Sequence, residues 1–255
     1  MEIRETRFAA REIKFVIDAA MRPRIVEWAR AHLSIDGYGS GPHCDEYSTS
    51  TLYFETPAFD VYRRRGSYGR SKYRVRRYGH AGEVFFERKF RTTRLLAKRR
   101  TVLPLGDLEY LEHSSPDPGW EGFWFHRRIK LRNLRPLVQL SYDRVARIGT
   151  SSTGPVRLTI DTNLVVVPMP DRAFLPNGIG MPFLQGLCIV EVKYPVALPV
   201  LFKELAESFH LEVQKISKFR AGLRALDYPL PRDPGEQVPT PLGAASGDPE
   251  NEYWD

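Results

Sequence analysis

Lys72, Arg74 and Arg76 alternate along SKYRVRRYG (residues 71–79), and Glu87 and Lys89 alternate along VFFERKF (residues 84–90). Side chains two apart on a strand share a face. Each stretch therefore reads as a strand with one charged face and one apolar face, Tyr73/Val75 in the first and Val84/Phe86 in the second. The same design recurs at Glu12/Lys14, at Arg157/Thr159/Asp161 and at Glu191/Lys193. An ordinary sheet with one wetted face would give that alternation. The charges are mostly basic, however, and like charges opposite one another in a sheet are destabilising. If amphipathic helices cover the apolar faces, the charged face becomes the inside of a curved sheet or barrel. Unpaired charge in such an interior is costly. The glutamates offset part of it, and the surplus of Lys and Arg calls for a bound polyanion. The guanidinium fork matches phosphate oxygens and the ammonium adds a point charge. Carboxylates offer hard oxygen ligands for Mg²⁺ or Mn²⁺, which a triphosphate brings with it. Phosphoryl transfer built this way needs positioning and electrostatics rather than a protein nucleophile, and no Ser/His or Cys/His pair is evident.

The elements that must position these residues can be followed along the chain. REIKFVI (residues 11–17) alternates as a strand, and Asp18 is placed to cap a helix of about 14 residues with Pro23 near its first turn. YSTSTLYFET reads as a strand, and PAFDVYRRRG as a short helix ended by Gly66. The glycines of YGHAG join the two charged strands as a hairpin, and TTRLLAKRRTVLP reads as a basic connector. Residues 107–113 and 120–132 read as helices; the Phe123, Trp124, Phe125 stripe of the second fits core packing better than a nucleic-acid platform. RPLVQLSYDRVARIG and GPVRLTIDTNLVV are long strands joined at TSSTG, and LCIVEVKYP is another. ALPVLFKELAESF and QKISKFRAGLRAL read as helices. With no regular β-α-β rhythm, the pattern is one α+β domain on an antiparallel sheet.

The totals fit a packed domain: 42% of the 255 residues are hydrophobic, enough for a sizeable core. The net charge of +7 is uneven. Residues 227–255 hold seven acids and one base in a Pro/Gly/Ser-rich sequence, which reads as an extension from residue 229 onward with too little apolar surface to fold. The rest is therefore more basic than the total, which suits an anionic partner. Cys44 and Cys188 have no CxxC spacing and read as free thiols in a reducing compartment. No apolar run approaches a membrane span, and MEIRETRFAARE lacks a secretory stretch, so the expected location is the cytoplasm. The six histidines are scattered, and none is assigned to a metal.

In order along the chain, REIKF, STLYFET, KYRVRRYG, FFERKF, KRR, YDRVA, VRLTID, IVEVKYP and KISKFRAGL together resemble the VTC polyphosphate polymerase domain, within the CYTH-like triphosphate tunnel metalloenzymes. The resemblance covers roughly residues 7–226 and gives residues 1–228 as the tunnel domain. It implies an eight-stranded antiparallel barrel lined by basic residues, with helices outside. It implies transfer of the γ-phosphate of ATP onto phosphate or polyphosphate, with Mn²⁺ or Mg²⁺ as cofactor. Carried over by motif, the phosphate contacts would be Lys14, Arg74, Arg76, Lys89, Lys98, Arg144, Arg157 and Lys218, with Lys72, Lys193 and Lys215 as neighbours. Arg74, Arg76, Lys89, Arg157 and Glu191 would act in catalysis; Glu191 would be the metal carboxylate, helped by Glu12 and Glu87, and Asp161 would orient Arg157. The same tunnel could instead hydrolyse tripolyphosphate or a nucleoside triphosphate, or bind polyphosphate without turnover. Two departures stand out. Ala10 replaces the first Glu of the superfamily's E-x-E-x-K, which weakens a first-strand metal site and argues against simple hydrolysis. The helical sensing domain and membrane helices of the fungal proteins have no counterpart here.

Overall fold

A computed structural model describes residues 11–39, 41–91, 96–169 and 174–230. Its strands are β1 (Arg11–Asp18), β2 (Ser34–Ile35), β3 (Glu46–Glu55), β4 (Ser71–Tyr78), β5 (Glu83–Arg91), β6 (Leu96–Pro104), β7 (Arg135–Ser151), β8 (Gly154–Pro168), β9 (Met181–Pro182) and β10 (Leu187–Tyr194). The helices are α1 (Arg22–His32), α2 (Phe123–Leu131), α3 (Val200–Ser208) and α4 (Lys218–Ala225). Eight long strands run β1-β10-β8-β7-β3-β4-β5-β6, each antiparallel to its neighbour. The two-residue strands β2 and β9 pair with β7 and β8.

This is the α+β antiparallel tunnel architecture expected, with one difference. No ladder joins β1 to β6 among the described residues, so the barrel is an open, strongly curled sheet rather than a closed ring. It curls far enough for Lys89 of β5 to reach Glu12 of β1, with Nζ and Oε2 3.5 Å apart. This side-chain contact links β1 to β5, the strand next to the other margin.

Helices α1, α2 and α3 cover the convex face. Phe15, Leu158, Ile160, Val190 and Val192 pack with Ile25, Val26 and Ala29 of α1 and Phe202 and Leu205 of α3. Leu52, Phe54, Tyr73, Val75, Val84 and Phe86 pack with Phe125 and Ile129 of α2. Each fully buried Leu, Ile, Val or Phe of these layers contributes roughly 1.5–3 kcal/mol, so the apolar alternation commits each strand's other side chains to the hollow. The Phe123–Phe125 stripe packs partly as expected. Phe125 is buried at the centre, and Trp124 donates to Thr101 under the Arg99 guanidinium.

Four element assignments change. Asp18 does cap, accepting from the Ala20 N–H, but it caps a 3-10 turn (Ala19–Met21) that precedes α1. Residues 57–64 form turns instead of a helix, and a 3-10 turn (Gly66–Arg70) follows. Phe59 and Arg64 sit at positive φ, and the buried Glu55 carboxylate accepts from the backbone N–H groups of Thr56, Val61 and Tyr62. A carboxylate gathering three amides competes directly with helical pairing. The second part of the basic connector is strand β6, along which Lys98 and Arg100 share a face. Residues 105–111 are 3-10 rather than α-helical. The expected acidic extension lies outside the described residues from 231 onward, as does Ala10. No helix among the described residues is long and apolar enough to cross a membrane.

Candidate functional site

The ladder registers decide which charges meet. Lys14 pairs with Glu191 and Glu12 with Lys193 across β1 and β10. Lys72 faces Lys89 and Arg74 faces Glu87 across β4 and β5. Arg144 lies opposite Asp161 across β7 and β8. Lys218 arrives from α4, and that helix is placed by close packing. Gly222 lies against Leu140 and Val166, where a Cβ would come within 2.8 Å of the Leu140 side chain, and Phe219 stacks on Tyr53 at 5.1 Å. Ahead of α4, the Gln214 N–H donates to the Lys14 carbonyl and ties the segment to β1.

The hollow contains a cavity of about 750 Å³, within the size range of small-molecule sites. Ten cationic side chains line it: Lys14, Arg64, Arg70, Lys72, Arg74, Arg76, Lys89, Arg144, Lys193 and Lys218. Among the described residues only two carboxylates do, Glu12 and Glu191, with Tyr53 and Tyr142 completing much of the wall.

Three ion-pair groups hold this charge in place. Glu12 contacts Lys14 at 2.6 Å, Lys89 at 3.5 Å and Lys193 at 3.7 Å, and Lys193 also contacts Glu191 at 2.7 Å. Burial and Glu191 push the Glu12 carboxyl up, but Lys89, Lys193 and Lys14 outweigh them and bring it to about 2. Burial likewise opposes ionisation of Glu191, and Lys193, Lys14, Lys218 and Arg144 hold it well below the usual range. Behind the wall, Asp161 accepts two hydrogen bonds from Arg144, at 2.6 and 2.8 Å, and contacts Lys218 at 2.7 Å. The third group centres on Glu87, which gathers Arg74 at 2.7 Å, Lys98 at 2.8 Å and Arg100 at 3.3 Å.

The structure thus brings Glu12, Lys14, Lys72, Arg74, Arg76, Lys89, Arg144, Glu191, Lys193 and Lys218 to one wall. It does not bring Lys98, Arg157, Lys215 or Glu87 there. Glu87 is buried in contact with Arg74, Lys98 and Arg100 and does not line the cavity. Arg157 donates to Asp36 and to the Tyr47 hydroxyl, and Asp161 orients Arg144 instead of Arg157. Arg64, within the stretch that reads as a helix, and Arg70, between that stretch and the strand from residue 71, are cavity residues that the sequence reading does not single out. The signal was the basic run RRRG ahead of KYRVRR.

Lys72 differs from its neighbours. Among the described residues no acid lies within ion-pair distance of it, and burial, then Lys89, Lys14, Arg220 and Arg64, push its ammonium from 10.5 down to about 7. Between those two values the unfolded chain holds a proton that the folded chain has lost. Stability therefore rises with pH from about 7 towards 10.5 through this group. Lys72→Met should raise the melting temperature at pH 7, flatten that pH dependence, and weaken tripolyphosphate binding by about tenfold, the worth of one charge-assisted contact. Thermal denaturation at pH 7 and pH 9 with calorimetric titration checks this. A melting temperature that falls would show that Lys72 is internally paired.

Among the described residues no three His, Cys, Asp or Glu side chains converge as a metal site. The donor set nevertheless fits a divalent ion that arrives with phosphate. Glu12 and Glu191 sit on adjacent strands, both contact Lys193, and both open on the cavity. They could supply part of an oxygen shell that phosphate oxygens would complete.

In sequence, residues 9–227 match the VTC domain. The chain belongs to the VTC domain family. That match spans nearly all the described structure, from β1 through α4. Among solved structures, a candidate adenylate cyclase from Bacillus halodurans aligns with a TM-score of 0.52 and 16% identity, over 82% of this chain and 93% of that one. A candidate adenylyl cyclase from Hippeastrum, described as having a dominant triphosphatase activity, aligns with a TM-score of 0.44 and 15% identity, over 86% of this chain and 97% of that one. No curated protein matches the sequence. The fold of this VTC domain is thus shared with the Bacillus halodurans structure.

Proposed function

We propose that this VTC domain transfers the γ-phosphate of ATP to phosphate or to the end of an inorganic polyphosphate chain, with Mn²⁺ or Mg²⁺ as cofactor. The observation that carries the reading is the imbalance on the cavity wall, ten cations against two carboxylates. Such a surplus in a half-buried hollow is stabilised by a polyanion, and a triphosphate has the charge density and the oxygen spacing for guanidinium forks and ammonium groups.

In this reading Arg74, Arg76 and Arg144 hold the triphosphate. Arg144 is kept rigid by its two bonds to Asp161, and Arg74 by its bond to Glu87. Lys14, Lys72, Lys89 and Lys218 neutralise charge as the phosphoryl group moves in line. Glu12 and Glu191 would hold the divalent ion. When bound, that ion supplies Lewis-acid polarisation of phosphate oxygens. The acceptor is itself a phosphate, so the chain need not provide a nucleophile.

Pure protein incubated with ATP and Mn²⁺, then resolved on a gel stained for polyphosphate, tests this. Polyphosphate chains are the expected product. ADP or phosphate without chains would make the domain a hydrolase, and tight triphosphate binding without turnover would make it a binding module. In all three cases saturating tripolyphosphate should raise the melting temperature, by about 2.7 kcal/mol of added stability at a hundredfold excess over Kd.

A further inference from the structure

At the end of the hollow where β4 turns into β5, inward-facing side chains change character. Tyr47 of β3, Tyr78 of β4, Phe85 of β5 and Ala146 of β7 form a separate buried cluster. Their rings interlock: Tyr47 meets Tyr78 edge-on at 5.4 Å, and Tyr78 meets Phe85 at 5.1 Å. Tyr38, from the loop between β2 and β3, lies over both, at 5.1 Å from Tyr78 and 6.3 Å from Phe85. Two cations lock the periphery. Arg157 bonds the Tyr47 hydroxyl and Asp36 of the same loop, and Arg100 stacks on Phe85 at 3.6 Å. None of these side chains lines the phosphate cavity; Arg76, over the Tyr78 ring at 5.9 Å, marks where the cavity stops and the cluster begins.

The geometry points to a blind cavity: the aromatic cluster shuts one end of the hollow, so the site accepts the terminus of a phosphate chain and not its interior. This rests on the functional reading above and adds to it the form of the substrate. Hydrated phosphate gains nothing from a packed aromatic layer, and threading a chain past Arg76 would require separating rings that bury their faces against one another. Donor and acceptor must then enter away from that cluster, along the wall that Arg64, Arg70 and Lys72 line. Chain growth becomes distributive, because an elongated end has to withdraw before the next triphosphate enters.

Competition against bound tripolyphosphate tests the idea without relying on turnover. Two probes of equal length are compared: linear polyphosphate with free ends, and the same polyphosphate blocked at both ends by bulky phosphoramidates. The free-ended chain should compete at least about tenfold better, a difference of one charge-assisted contact or more. Equal competition by the blocked chain would overturn the blind end while leaving triphosphate binding intact. Failure of the wild type to bind tripolyphosphate would overturn the functional reading itself, and the blind end with it. Phe85→Ala supplies the converse. It removes the ring under Arg100, so long free-ended chains should gain about tenfold in affinity relative to tripolyphosphate as they reach that guanidinium. Should that variant not fold, Tyr38→Ala, at a half-exposed position, should shift the same ratio in the same direction; an unchanged ratio would count against the plug.

Discussion

Arg76→Ala lowers turnover by about 10²–10³-fold, the loss expected when one preorganised donor to developing charge is removed, about 3–4 kcal/mol. Arg76 is singled out by what it lacks. Arg74 is bonded to Glu87 and Arg144 to Asp161, whereas Arg76 has no carboxylate within ion-pair distance among the described residues. Its Nε donates to the Thr51 hydroxyl and its guanidinium lies over Tyr78. It is 7% exposed, so its charge is held in a poorly hydrated wall, where Tyr142, Tyr78, Glu87 and Tyr53 outweigh burial and keep it ionised. Removing it also relieves repulsion with Arg74, whose ionisation it opposes. The Arg76 charge also helps keep the buried Glu87 ionised, so the variant should lose some melting temperature, and turnover by far more than that loss explains. Arg74→Ala is a poorer test, because it also strips one of three cations from the buried Glu87 and costs stability on its own account. Steady-state kinetics and thermal denaturation of Arg76→Ala, with Arg76→Lys beside it, decide the matter. Lysine restores the charge but not the fork, so it should recover part of the loss. A loss under about tenfold in Arg76→Ala would reduce the residue to a structural role.

Much of this site was legible because strands have a period of exactly two residues' alternation and nothing else to satisfy. Once Tyr73/Val75 and Val190/Val192 commit to the convex face, Lys72, Arg74, Arg76, Glu191 and Lys193 have only the hollow left. Alternation says which face a side chain takes, but not where along the hollow it stands or what meets it there. Arg157 shares a face with Asp161, yet Asp36 and Tyr47, far away in sequence, intercept it near the aromatic cluster. The resemblance gives Glu87 as a metal helper; the β6 ladder, which delivers Lys98 and Arg100 against it, makes it the centre of an ion-pair group. That ladder was hidden because AKRRTVLP has weak apolar contrast. The Arg64–Arg70 wall was hidden for another reason. Its conformation is set by the Glu55 carboxylate and by left-handed residues, interactions with no periodic signature.

Glu191→Gln separates a metal carboxylate from a mere ion-pair partner. Lys193, Lys14, Lys218 and Arg144 keep Glu191 ionised at every working pH, so it brings a full negative charge to a wall dominated by cations. If that charge served only to hold Lys193, at 2.7 Å, glutamine would leave an acceptor in place and turnover would fall by less than about tenfold. If it holds the divalent ion, glutamine removes a hard anionic ligand and leaves the wall one charge more positive. Two measurements should then move in opposite directions. Turnover falls by about 10²-fold or more, with the Mn²⁺ concentration for half-maximal rate rising by about tenfold. Tripolyphosphate without metal binds at least as tightly as to the wild type, because attraction between the wall and the anion has grown. Parallel losses of metal-free binding and turnover would mean that the substitution damaged the phosphate wall itself. A Mn²⁺ dependence that does not move would take the metal away from Glu191.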